Sequence, residues 1–285
     1  MARTLQQLLR PLVPNLAIRI RHIESKKTLG VRCREHLGLI TRGAKSFEPK
    51  YVQALKALVN QGDTIFDVGA NIGFYTILFS AWTGEHGRVL AYEPDPWNLE
   101  ILARNIDRNG CDNTIIRPFG LSKRSGEELF SVDSITRSTG HLGGGPTFGE
   151  NQFGFGREEL ITIKTKTLDE EASGFGAPVL IKMDIEGGEL DALSGASTLL
   201  CRDRPLIASE LNGWTKEDPS GTGRARQATR FLADHDYAII DLDTGALVKP
   251  GEAAWMVFAF PKEKEDKAGL RKVLSGVQPG WNSAR

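Results

Sequence analysis

Thr64-Ile-Phe-Asp-Val-Gly-Ala-Asn-Ile-Gly73 is a short continuous apolar run that ends in a glycine-rich turn. After it, Tyr75, Leu78, Phe79 and Trp82 recur at helical spacing and predict a helix. Strand, turn and helix make one unit of an α/β sheet, and continuous apolarity in the strand means that both of its faces are covered. The unit recurs. Arg88–Tyr92 reads as a second strand, Pro96–Asn109 as a helix with Leu99, Leu102 and Ile106 on one side, and Asn113–Phe119 as a third strand. Val179–Met183 predicts a fourth strand, a helix runs from about Glu186 to Leu200, and Pro205–Glu210 predicts a fifth strand. Arg224–His235 reads as helix, and Tyr237–Asp241 with Trp255–Phe260 as a closing pair of strands. Upstream, Glu48-Pro49 opens a helix with Tyr51, Leu55, Leu58 and Val59 on one face, stopped by Gly62. The expected fold is α/β: a doubly wound, mostly parallel sheet of seven strands.

Around this core the chain divides into three. Residues 1–45 lack a sustained period and carry many arginines, which suggests an N-terminal arm packed on the domain or on a second subunit; a homo-oligomer is compatible with it. Residues 46–261 form the domain, and 262–285 a charged C-terminal tail that opens on the mixed run Lys262–Lys267. Within the domain, residues 120–168 are an insertion with two expected strands, Glu127–Val132 and Leu160–Thr165. Between them seven glycines fall in the 17 positions from 140 to 156, too many for a packed element, so the tract Ser138–Gly156 is expected to be a mobile lid. A lid would bring Arg137, His141 and Phe153 to the site; a plain surface loop is the alternative.

Composition narrows the function classes. The 285 residues suffice for a sizeable core. Lys plus Arg equals Asp plus Glu at 36 each, and without a basic excess no nucleic-acid partner is expected. Cys33, Cys111 and Cys201 are odd in number and lack metal-ligand spacing, which fits a reducing compartment. No window approaches the roughly 18 uninterrupted apolar residues of a membrane span. Leu5–Ile20 is broken by Arg10, Pro11, Pro14 and Arg19 before a secretory core can form. A cytoplasmic protein without a transmembrane segment is the expectation.

In a doubly wound sheet, ligands bind at the carboxyl ends of the strands. The polar residues that follow predicted strands are Asp67 with Gly69–Gly73, Glu93, Gly120–Ser122, Lys182–Glu189 and Glu210–Asn212. A dinucleotide fingerprint starting at Gly69 fails, since Asn71 and Phe74 occupy two of its three glycine positions. The spacing Asp67-x-Gly69-x-Asn71-x-Gly73 instead resembles the acidic, glycine-rich loop of S-adenosylmethionine-dependent methyltransferases, with Asn in the middle slot. Asn tolerates a positive φ better than other non-glycine residues. Glu93, 20 residues beyond Gly73, is placed to accept both ribose hydroxyls of an adenosine ligand, with Pro94 stiffening its loop.

Val179-Leu-Ile-Lys-Met-Asp-Ile-Glu-Gly-Gly-Glu189 carries Lys182, Asp184, Glu186, Gly187 and Glu189 in the pattern K-x-D-x-E-G-x-E. Here the chain resembles the FkbM family of methyltransferases. Asp67–Gly73, Tyr92–Pro94, Asn105–Gly110 and Leu168-Asp169 match that family's other motifs in order, and the resemblance runs from about Phe47 to Pro261. It implies a class I, Rossmann-like methyltransferase fold and transfer from S-adenosylmethionine to a hydroxyl of a sugar, glycan or natural product. On that basis Asp67, Gly69, Ala70, Asn71, Gly73, Glu93, Pro94, Ser122 and Asp184 are the candidate cofactor residues, and Asp184, Glu210, His141 and Lys182 the candidate catalytic ones.

Bland roles stand beside these. Glu186 or Glu189 could cap a helix, and Lys182 could pair with Asp184 or Glu210. Asp184, Glu210 and Asn212 could also form an Mg2+ site for a deprotonated acceptor oxygen, though a metal-free base is simpler. Two rival functions remain at this level: an NAD-dependent oxidoreductase, and a noncatalytic binding protein on a methyltransferase core.

Overall fold

The structure is a computed structural model that describes residues 12–24, 26–133, 140–142, 158–211 and 222–264. The N-terminal part contains β1 (Ala17–Arg21), β2 (Thr28–Arg32), α1 (Leu37–Arg42) and α2 (Pro49–Leu58). The first α/β units follow as β3 (Thr64–Val68), α3 (Phe74–Thr83), β4 (Arg88–Tyr92), α4 (Pro96–Arg108) and β5 (Thr114–Arg117). The insertion supplies β6 (Gly120–Leu121), β7 (Gly126–Asp133), β8 (Gly140–Leu142) and β9 (Glu158–Lys166). The second half runs through α5 (Leu168–Phe175), β10 (Leu180–Met183), α6 (Glu189–Ser194), α7 (Ser197–Arg202) and β11 (Leu206–Glu210). It ends with α8 (Thr222–Asp234), β12 (Tyr237–Asp241) and β13 (Met256–Pro261).

Seven strands form one sheet, as the apolar runs predict, and their order is β12-β13-β11-β10-β3-β4-β5. The pairs from β11 through β5 are parallel, and β13 lies antiparallel between β11 and β12. From β3 the chain steps outward to β4 and β5, then returns to β10 on the other side of β3. The strand order therefore reverses between β3 and β10, and a crevice opens there at the strand ends. Successive side chains feed opposite faces. Ile65, Leu180, Ala208 and Phe258 pack with α2, α3 and α4, whereas Phe66, Ile181, Ile207 and Val257 pack with the helices of the second half.

Three features depart from the sequence reading. The single helix expected over Glu186–Leu200 is divided into α6 and α7. Asp169, at the start of α5, accepts hydrogen bonds from the amides of Thr198 (3.0 Å) and Leu199 (2.8 Å). A carboxylate from another element thus satisfies the orphan amides of a new helix N-terminus, which no pattern within the segment announces. The described part of the N-terminal arm contains an antiparallel hairpin, β1 with β2. Finally, Gly140–Leu142 lies inside the glycine tract yet pairs with Phe130–Val132. A Cβ on Gly140 would come within 2.3 Å of the Phe130 ring, so the glycine is what allows the two strands to pack. The insertion is a sheet of order β6-β9-β7-β8, and the remaining positions of the Ser138–Gly156 tract lie outside the described residues.

Among the side chains that tie the hairpin to the domain, one is fully buried and reaches three elements. Asn105 of α4 accepts from the Gly30 amide (2.7 Å) and donates to the carbonyls of Gly30 (3.1 Å) and Ile72 (2.7 Å). It thereby joins β2, α4 and the glycine turn after β3. Asn105→Ala takes the partner from these backbone groups and is expected to cost about 3 kcal/mol of stability. Urea unfolding checks it; a change within about 0.5 kcal/mol would mean that water replaces the amide.

Candidate active site at the sheet reversal

A pocket opens at the switch point, where the strand ends leave a crevice. Its floor is the turn after β3 and the end of β4, with Gly69, Asn71, Glu93 and Pro94 on its lining. Phe130, Val132, Leu142 and Ile163 of the inserted sheet form an apolar roof, and Asp184 and Ile185 close the end beside β10. The insertion therefore covers the pocket with side chains of β7, β8 and β9.

The turn is held tightly. Gly69 has φ +78°, and a Cβ there would lie 1.9 Å from the carbonyl oxygen of Asp184, so the loops after β3 and β10 touch through a position that only glycine can fill. The amides of Gly69 and Ala70 both donate to the Tyr92 carbonyl, at 3.0 and 2.9 Å. Asn71 has φ +50°, as expected for a residue standing in a glycine slot, and its side chain accepts from the Ile72 amide. Gly73 precedes α3 with φ +91°. Ala70 and Gly73 shape the turn from behind; neither lines the cavity.

Glu93 is only 5% exposed, yet its carboxylate borders the cavity. It accepts from the Asn71 amide (2.8 Å) and the Asp95 amide (2.9 Å). Burial pushes its pKa up to about 7, against the pull of those two amides.

Asp67 is fully buried and does not reach the cavity. Its Oδ2 accepts from the Thr76 hydroxyl (2.6 Å), and its Oδ1 lies 3.6 Å from Lys182 Nζ. Lys182, opposite Asp67 in the β3–β10 register, also donates to the Gly69 carbonyl at 3.1 Å and lies 3.8 Å from Asp184 Oδ2. Burial alone would lower the Lys182 pKa; the surrounding acids Asp67, Asp184, Glu48 and Glu210 raise it, so the ammonium is retained. Lys182 is a strut behind the pocket.

Asp184 keeps 35% of its side chain exposed and lines the cavity. The helix that follows is held by Glu189, whose carboxylate accepts from the amides of Ile185 and Gly187 at 3.0 Å each. Burial pushes Glu189 up to about 8 against those bonds. Glu189 thus organises the loop, and no side chain caps α6, so Asp184 is left facing the pocket.

The other candidates are placed as follows. Ser122 is buried and off the cavity, and Glu210 accepts from the Trp255 indole at 2.8 Å. Asn212, Arg137, Phe153 and the His141 side chain lie outside the described residues. No group of three or more His, Cys, Asp or Glu among the described residues is disposed to hold a metal ion. Sequence reasoning missed the apolar roof and the polar tips of Tyr51 and Tyr75, both read as ordinary core positions.

Residues 67–239 match the family described as the methyltransferase FkbM domain. The chain belongs to the FkbM methyltransferase family. Hexuronic acid methyltransferase AglP of Haloferax volcanii is 30% identical over 199 residues, 67% of this chain and 76% of that one. A crystal structure of methyltransferase FkbM from Methylobacillus flagellatus is 22% identical with a TM-score of 0.44; the match covers 70% of this chain and 43% of that one. The O-methyltransferase from Bacillus cereus, solved in complex with SAH, is 16% identical over 79% of this chain and 86% of that one, with a TM-score of 0.46. No helix among the described residues of this FkbM methyltransferase is long and apolar enough to cross a membrane.

Glu93 gives the family fold a pH test. If ribose hydroxyls donate to the ionised carboxylate, a bound adenosyl ligand would lower the pKa that burial has raised to about 7. Affinity for S-adenosylhomocysteine should therefore be level above that pH and fall up to about tenfold per unit below it. In Glu93→Gln the slope should vanish and affinity drop by about 1 to 3 kcal/mol. Calorimetric titration between pH 5.5 and 8.5, roughly one to two units either side of the midpoint, measures both; a wild-type affinity independent of pH would take Glu93 out of the ribose site.

Proposed function

We propose that this chain is an S-adenosylmethionine-dependent O-methyltransferase acting on a hydroxyl of a sugar or glycan. The observation that carries this reading is one cavity with a ribose-type carboxylate, Glu93, at its floor and a second, exposed carboxylate, Asp184, at its far end. Membership of the FkbM family supports methyl transfer, and the Haloferax relative named for hexuronic acid supports a sugar as acceptor. An NAD-dependent oxidoreductase would need a glycine fingerprint that Asn71 and Phe74 break.

S-adenosylmethionine, when bound, supplies a methyl group on a sulfonium. Asn71, Glu93 and the roof of Phe130, Val132, Leu142 and Ile163 would hold its adenosine, with the apolar side chains excluding water. Asp184 would orient the acceptor hydroxyl in line with the methyl and take up its proton as the new carbon–oxygen bond forms and the carbon–sulfur bond breaks. Lys182 keeps Asp184 in place without touching the acceptor.

Two measurements test this. Thermal stabilisation by S-adenosylhomocysteine and not by NADH is the expected pattern; the reverse would favour the oxidoreductase, and no response to either a noncatalytic role. Asp184→Asn preserves shape and should keep cofactor affinity while lowering turnover with a sugar acceptor by about 10² or more. Because Asp184 caps no helix, turnover that stays within about threefold of wild type would assign proton removal elsewhere.

A further inference from the structure

The face of the sheet beneath α2 holds a polar cluster that the sequence reading did not foresee. Lys182 stands opposite Asp67 on β3 and Ala208 on β11, and Glu210 lies two residues beyond Ala208. The side chains of Asp67, Lys182 and Glu210 therefore share one face at the strand ends. Over them α2 brings Glu48 and Tyr51, and α3 brings Tyr75. The Tyr75 hydroxyl donates to Glu48, and its ring lies 5.1 Å from Lys182 Nζ. Asp184 belongs both to this cluster and to the cavity lining.

Two observations point to a ligand here. Tyr51 is 5% exposed, yet its hydroxyl finds no hydrogen-bond partner among the described residues. Burial first, then the charges of Glu48, Asp184, Glu210 and Asp67, hold that hydroxyl protonated. A buried donor set among acids and bonded to none of them is an unspent hydrogen bond that calls for an explanation. Second, Glu48 occupies the left-handed region at φ 42°, ψ 51°, a conformation that glutamate adopts at a cost and that proteins retain where a side chain must be aimed. It stands at the N-cap position of α2, but its side chain makes no cap bond and its carboxylate is turned toward Tyr75 instead.

The charge of the cluster selects the ligand. Four carboxylates bear on the single ammonium of Lys182, so an anionic group is repelled from this spot, and the carboxylate of a uronic acid would have to point away from it. A ring hydroxyl is favoured, because it can donate to Glu48 while accepting from Tyr51. We propose that Glu48 and Tyr51 bind a hydroxyl of the sugar acceptor next to the one that Asp184 faces, so that the segment ahead of the matched family domain supplies the acceptor subsite. The proposal rests on the methyl-transfer reading and places the acceptor on the α2 side of Asp184, the member of the cluster that also lines the cavity.

The test titrates the complex with S-adenosylhomocysteine, in wild type, Tyr51→Phe and Glu48→Gln, with methyl β-D-glucoside and methyl β-D-glucuronide as probes. Wild type should bind at least one probe within about 50 mM, and each variant should bind it about fivefold more weakly or worse, with cofactor affinity unchanged. Tyr51→Phe removes only an unpartnered buried hydroxyl, so its melting temperature should stay level or rise, which separates lost sugar binding from damage to the fold. Equal sugar affinity in all three proteins, or no binding of either probe to a wild-type complex that holds S-adenosylhomocysteine, overturns the subsite. So does a parallel loss of cofactor affinity in the variants. Failure of wild type to bind S-adenosylhomocysteine strikes the methyl-transfer reading itself.

Discussion

A buried ammonium between the two strands where the sheet order reverses is the constraint on which the site depends. Lys182 has almost no contact with water, and its compensation comes from Asp67 at 3.6 Å, Asp184 at 3.8 Å and the Gly69 carbonyl at 3.1 Å. Stranding either charge of such a pair costs far more than the pair contributes when intact, so both must be present or neither. The arrangement also fixes geometry. One end of Lys182's reach is the glycine turn after β3, and the other is the carboxylate after β10. The relative position of the two cavity walls is thus set by one side chain, and the contact of Gly69 with the Asp184 backbone sets how closely they approach.

Much of this fold is legible because parallel strands buried on both faces must be continuously apolar. Thr64–Val68 and Arg88–Tyr92 are observed with the boundaries that their composition implies. What the sequence does not show are interactions closed from a distance. The break between α6 and α7 is made by Asp169, some 30 residues earlier in the chain, and nothing in the local periodicity reveals it. The β1–β2 hairpin is short and half exposed, with Ile18 and Ile20 alternating with arginines over too few residues to rise above a generally basic arm. The strand at Gly140–Leu142 was obscured by a rule about glycine density that ignores how one glycine can admit an aromatic ring.

The site divides along the same line. Spacing identifies which residues sit at strand ends, and Gly69, Asn71, Glu93, Pro94 and Asp184 are on the cavity wall. Spacing cannot say which of them turn inward. Asp67, Lys182 and Ser122 occupy comparable places in the chain but lie behind the wall, where side-chain direction and the sheet's pleat put them. Tyr51 and Tyr75 were hidden for the opposite reason. Their rings satisfy a helix's apolar face, and only the three-dimensional structure shows where the hydroxyl at the far end arrives.

The placement of Lys182 also bears on how an exposed carboxylate can serve a reaction that begins from a cation. On the methyl-transfer reading, positive charge at sulfur disappears as the methyl moves, so a bare carboxylate nearby would hold the starting state more firmly than the transition state. Asp184 is not bare. The ammonium 3.8 Å from its Oδ2 would offset part of its field at a bound sulfonium, while the half-buried carboxylate stays open to an acceptor hydroxyl. On that reading a paired aspartate would meet two opposed demands, orienting and deprotonating a neutral acceptor without trapping a charged donor, and Asp67 in turn keeps the ammonium charged within the protein. The three residues work as a graded series from buried to exposed, and the sheet register that sets Asp67 against Lys182 is what puts them in that order.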